Sequence, residues 1–137
     1  MLRYALPDTN VLIRHLRGNL DDAFDPFSRR FILRHSAVVL SELYRGAGSA
    51  VARRLVDRLV KDAPTIWAPT TEDWLAAGRL VRTIGDAKGF DVHKRRELQN
   101  DCLIALTARR HGAIVLTADT ADFRLISSRV EFAMETV

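Results

Sequence analysis

The chain has 137 residues, enough to bury a real core without a disulfide or metal merely to fold. Its 47% hydrophobic and 28% charged residues are ordinary for a soluble globular protein, and its single cysteine, Cys102, excludes an intrachain disulfide. The net charge of +4, from 21 Lys+Arg against 17 Asp+Glu, suits a polyanionic partner but serves solubility equally well.

No apolar run approaches the roughly 20 residues that a membrane helix needs, and the N-terminus lacks a signal-peptide pattern. The expectation is one domain over residues 1–137, cytoplasmic and without a membrane partner.

Residues 3 to 7 read as a first strand that runs into Asp8. Residues 10 to 17 read as a helix with Asn10 as its N-cap, and residues 21 to 34 as a second helix interrupted near Pro26. Residues 36 to 40, Ser-Ala-Val-Val-Leu, read as a second strand buried on both faces, with a short helix from Ser41 to Arg45. Residues 50 to 61 form an amphipathic helix, with Val51, Leu55 and Leu59 in one apolar row.

A third strand is expected over residues 65 to 68. Thr70 and Asp73 then resemble a capping box. The following helix carries Trp74, Ala77, Val81 and Ile84 on one stripe, with Gly78 permitting close packing and Gly85 as its end. Residues 86 to 96 lack a period and read as a charged loop. Residues 97 to 111 form a helix whose centre, Cys102 to Leu106, is apolar almost all round. A fourth strand over 113 to 117, a helical turn over 121 to 125 and an edge strand over 130 to 134 complete the chain. This alternation of strands and helices predicts an α/β fold with a parallel sheet.

Five acids stand out by position. Asp8 ends the first strand, Glu42 follows the second, and Asp119 and Asp122 follow the fourth. Asp101 precedes the apolar centre of a helix that starts at the same end of the sheet. Taken singly, Asp8, Glu42, Asp119 and Asp122 also read as helix caps or surface acids. Asp101 is harder to explain that way, because an unpaired buried carboxylate is costly.

Two carboxylates about 4 Å apart repel by about 4 kcal/mol at an effective dielectric of about 20. Such a cluster must protonate, pair with arginines or bind a divalent cation, and oxygen ligands suit Mg²⁺ or Mn²⁺. His15, His35, His93 and His111 are scattered, which leaves no zinc pattern.

Asp8-Thr-Asn10, Ser41-Glu42-Leu43, Asn100-Asp101-Cys-Leu-Ile-Ala105 and Leu116-Thr-Ala-Asp-Thr-Ala-Asp-Phe123 resemble, in order, the acidic motifs of PIN-domain nucleases. The short length resembles the VapC-type toxins of bacterial toxin–antitoxin pairs. The resemblance implies a single-domain three-layer sandwich, with a five-stranded parallel sheet of order 3-2-1-4-5 and helices on both faces. It implies RNA cleavage dependent on Mg²⁺ or Mn²⁺, leaving 5′-phosphate and 3′-hydroxyl ends. Asp8, Glu42, Asp101 and Asp119 would be the metal-site acids, with Asp122, Thr117 and Asn10 as auxiliaries. A VapB-type antitoxin and a homodimer would be its partners.

Arg45, Lys88, Lys94, Arg95 and Arg96 are candidates to hold RNA phosphates. Trp67 and Trp74 are expected in the core or at a dimer contact. A PIN-like scaffold without catalysis is the alternative, although the intact acid set argues against it. A phosphoacceptor receiver is disfavoured because no lysine follows Lys94.

Overall fold

The structure, a computed structural model, describes residues 2–17 and 29–137. Its elements in chain order are β1 (Arg3–Pro7), α1 (Thr9–Arg17), β2 (Phe31–Leu33), β3 (His35–Ser36), α2 (Ala37–Gly46) and α3 (Ala50–Asp62). Then follow β4 (Ile66–Trp67), α4 (Thr71–Lys88), α5 (Val92–Arg110), β5 (Ile114–Thr117), α6 (Thr120–Ser127) and β6 (Ala133–Thr136).

The fold is α/β, and every strand pairing is parallel. Four strands form one sheet in the order β2-β1-β5-β6, and β3 pairs with β4 in a second. The expected second strand therefore comes early. It occupies Phe31 to Ser36 and is broken at Arg34, whose N–H still donates to the Ala5 carbonyl at 2.9 Å. With β2 and β3 taken as one interrupted strand, the order 3-2-1-4-5 is recovered. The single five-stranded sheet is not, because the break splits it in two.

The apolar run Ala37 to Leu40 begins α2. The Ser36 hydroxyl accepts from the Val38 N–H at 3.1 Å and caps the helix. A short apolar run suits a buried helix turn as well as a buried strand, and the capping serine decides between them. Phe31 to Leu33 is strand, where a helix was expected. The part of that helix over residues 21 to 28 lies outside the described residues.

Residues 86 to 96 contain no long loop. The helix α4 continues to Lys88 and closes on Gly89 at φ +67°; Asp91 then accepts from the Lys94 N–H at 2.8 Å and caps α5. Gly85 does not end α4. A Cβ there would lie 2.8 Å from the Arg95 guanidinium carbon, so the glycine admits that side chain. Gly78, by contrast, faces open space. The expected edge strand also begins later, at Ala133.

β1 lies between β2 and β5, and its alternate residues serve two clusters. Leu6 joins the main core, with Leu12, Val39, Leu98, Leu103, Val115 and Phe123. Ala5 packs with Phe31 and Leu116 in a smaller cluster. The winding reverses between β1 and β5, and such a switch point opens a crevice at the strands' carboxyl ends. The residues that follow both strands are Asp8 and Ala118-Asp119.

Candidate active site

An open cleft of about 590 Å³ lies at that switch point. Asp8 forms its base. The Asp8 N–H donates to the Leu116 carbonyl at 2.8 Å, which extends the β1–β5 ladder by one residue. Its carbonyl accepts from Val11 and Leu12, so Asp8 starts α1 and Asn10 falls in the first turn instead of capping it. The Asp8 carboxylate accepts from the Thr9 N–H at 2.7 Å and lies 3.1 Å from the Thr117 hydroxyl.

That hydroxyl, fully buried, also accepts from the Asp119 N–H at 3.1 Å and faces the Asp119 carbonyl at 3.0 Å. Thr117 thereby ties the ends of both strands together. The Thr9 hydroxyl donates to Glu42 Oε1 at 3.0 Å and brings α2 to the same wall. Asp119 caps α6 through the Ala121 N–H at 3.3 Å.

Six carboxyl groups line the cleft, those of Asp8, Glu42, Glu97, Asp101, Asp119 and Asp122, against two guanidinium groups, Arg45 and Arg96. Burial, with the crowding of like charge added to it, shows in the titration of Asp8 and Asp101. Burial pushes Asp8 up to about 6, against the lowering effect of its Thr9 and Thr117 hydrogen bonds, and the charges of Glu42 and Asp119 add to the rise. Asp101 is pushed up to about 9, first by burial and then by the charges of Asp8, Asp122 and Glu42. The neighbouring Cys102 thiol is pushed up to about 12, chiefly by burial, which keeps it protonated and unfit as a nucleophile.

The donor set contains carboxylates, hydroxyls and amides, the chemistry of a hard divalent cation. A cation would relieve the repulsion that protons otherwise relieve. Among the described residues, however, no group of three or more His, Cys, Asp or Glu side chains stands ready to hold a metal ion. The acids share one cleft without closing on a common point, so the set fits a cation in chemistry only.

Asp8, Asn10, Glu42, Asp101, Asp119, Asp122, Arg45 and Arg96 all line the cleft, and Thr117 supports Asp8 from behind. The other basic candidates do not line it. Lys94 Nζ lies 2.8 Å from Asp122 Oδ2, an internal counter-ion. Arg95 bonds the Phe90 carbonyl at 2.8 Å and Asp86 at 3.0 Å and pins the α4–α5 corner. Lys88 sits at the exposed end of α4.

Four lining residues escaped the sequence reading: Thr9, His93, Glu97 and Asn100. His93, Glu97 and Asp101 stand four residues apart on one face of α5, and His93 Nε2 lies 3.2 Å from Glu97. That period is not visible in the sequence when residues 86 to 96 are taken for a loop. Trp67 is buried, stacked on His111 at 3.9 Å and edge-on to Tyr4 at 5.3 Å. Trp74 is not a core residue, being 48% exposed.

Residues 5–127 match the PIN domain family model, and the chain belongs to that family. No curated protein matches it. Among solved structures it is similar to the VapBC2 complex of Rickettsia felis bound to a promoter DNA fragment, at 20% identity and a TM-score of 0.70, with 98% of each chain covered. VapBC-1 of nontypeable Haemophilus influenzae also gives 20% identity and 0.70, covering 97% of each chain. DNA-bound VapBC of Salmonella typhimurium gives 24% and 0.65, covering 99% of this chain and 98% of that one. These likenesses establish the shared fold.

Proposed function

We propose that the chain is a divalent-metal-dependent endoribonuclease, the VapC-type toxin of a toxin–antitoxin pair. The observation that carries this is the six-carboxyl cleft at the β1–β5 switch point of a PIN domain. Asp8, Glu42, Asp101 and Asp119 would hold Mg²⁺ or Mn²⁺, with Asp122 beside them. When bound, the cation polarises the scissile phosphodiester and lowers the pKa of attacking water.

The chain's own residues do the positioning. Thr117 and the Thr9 N–H hold the Asp8 carboxylate by its two oxygens, and the Thr9 hydroxyl orients Glu42. Arg45 and Arg96, both exposed at the cleft, would hold flanking phosphates. The carboxylates are ligands and not nucleophiles.

An apolar groove of about 180 Å³ between α1, α2 and α3 borders the cleft through Glu42 and is lined by Ile13, Leu16, Leu43 and Val56. It supports a VapB-type antitoxin as partner, since an apolar segment seated there would end at the acids. The solved relatives are toxin–antitoxin assemblies, which supports the same reading. Among the described residues no helix is long and apolar enough to cross a membrane. A cytoplasmic homodimer of 137-residue single-domain subunits completes the proposal.

The test is cleavage of total RNA with Mg²⁺, Mn²⁺ or EDTA, by the wild-type chain and by Asp101→Asn. Cleavage that needs the metal and vanishes in a folded Asp101→Asn protein is the expected result. Metal-dependent binding without cleavage would establish the non-catalytic scaffold instead.

A further inference from the structure

Beside the acidic cleft lies a second groove of about 400 Å³, which shares Glu42, Arg45 and Asn100 with it. Its walls have a different character. Val38 of α2 and Ala68 and Pro69 after β4 present small apolar surfaces, and Trp74 of α4 lines the groove with them. Ser41 and Asn100 supply polar groups at its edges.

Two observations make Trp74 a platform and not stray exposed surface. The residue is about half exposed and, among the described residues, its ring has no aromatic or cationic partner, whereas Trp67 is engaged by both His111 and Tyr4. The backbone beneath it is also tightly held. Thr70 and Asp73 form a reciprocal capping box, and Arg110 donates to Asp73 Oδ1 at 2.7 Å and to Thr70 Oγ1 at 2.9 Å. The turn that carries Trp74 is thus fixed before any ligand arrives.

We propose that this groove is a nucleobase subsite, in which one unpaired base next to the scissile phosphate stacks on Trp74. The inference rests on the nuclease reading of the adjoining cleft. A base has an apolar face for Trp74 and Pro69 and a polar edge for Asn100 and Ser41. Its phosphate falls at Arg45, which stands on the boundary between groove and cleft and, among the described residues, has no ion-pair partner. An aromatic platform takes any base, and the edge groups supply whatever preference exists.

The experiment uses the full-length chain and a short single-stranded RNA, together with copies of that RNA carrying one abasic site stepped along it. Affinity is measured with Ca²⁺ in place of Mg²⁺, and cleavage with Mg²⁺, for wild type, Trp74→Ala and Trp74→Phe. Trp74→Ala is expected to weaken binding and raise KM by roughly five- to 150-fold. Trp74→Phe should retain most of the affinity. An abasic site at one position next to the cut should weaken wild type to the level of Trp74→Ala and leave Trp74→Ala unchanged.

Equal affinity of wild type and Trp74→Ala overturns the proposal, as does a loss that no abasic position reproduces. A change of oligomeric state by light scattering, with base dependence intact, assigns the groove to a protein contact and overturns it too. If the wild-type chain neither binds nor cuts RNA, the nuclease reading fails, and the subsite with it.

Discussion

Asp8 and Asp101 hold their protons far more tightly in the folded chain than an exposed aspartate near 3.8 would. The sign of the linkage follows. Each contributes stability that is fully present below about 3.8 and is lost as pH rises, through about 6 for Asp8 and about 9 for Asp101. The metal-free chain should therefore melt at progressively lower temperature between pH values of about 5 and about 9. Added Mg²⁺ should restore most stability at the alkaline end, where the carboxylates are ionised. Asp101→Asn should flatten the profile and reduce the Mg²⁺ response; thermal melts at several pH values, with Mg²⁺ or EDTA, read both. An unchanged profile in Asp101→Asn would show that burial there is not what holds the proton. At the same scale, Thr117→Val keeps the shape of a buried side chain but strips Asp8 and the Asp119 N–H of a partner. It should cost about 1–3 kcal/mol in urea unfolding and lower the cleavage rate, whereas Thr117→Ser should recover most of the loss.

Among the elements, the α4–α5 corner matters most, because α5 carries His93, Glu97, Asn100 and Asp101 into the cleft. The corner turns on Gly89 at φ +67° and on the Asp91 cap. Gly89→Ala forces a side chain into the left-handed region, at about 1–2 kcal/mol, and should lower Tm by several degrees with little effect on cleavage per folded molecule. Differential scanning calorimetry beside an activity titration separates the two. The corner also shows where sequence reasoning stopped. Charged residues without an apolar period look like a loop, yet Asp91 three residues before Lys94 is a helix start, and the His93–Glu97–Asp101 spacing follows once the helix is drawn. The Ala37–Leu40 run failed for another reason: four apolar residues carry no period that separates strand from helix. Asp8, Asp119 and Asp101 were legible because they follow an apolar strand or border an apolar helix centre, whereas Glu42 reached the cleft from inside α2 and not from the end of a strand. The positions of Thr9 and Asn100 on the cleft were not, since a threonine or asparagine beside an acid has many ordinary uses.

For the whole molecule, the net charge of +4 and the acidic cleft describe different surfaces. Arg45 and Arg96 are the two exposed guanidinium groups that line the cleft. Replacing both with alanine should weaken RNA binding across sequences and flatten its salt dependence, by about 0.7 in the log–log slope for each single-strand phosphate no longer neutralised. A slope unchanged in the double variant would place the phosphate-binding groups elsewhere, Lys88 and Arg95 included.

The six-to-two excess of acid over arginine in the cleft has a kinetic consequence. Asp101 keeps its proton up to about 9 and Asp122 is paired with Lys94, but the remaining acids still present like charge to a phosphodiester approaching the bare cleft. On the proposed nuclease reading, a cation should therefore load before nucleic acid. Under that proposal the apparent affinity for RNA should rise with free divalent ion, and scarcity of metal would by itself hold the chain idle.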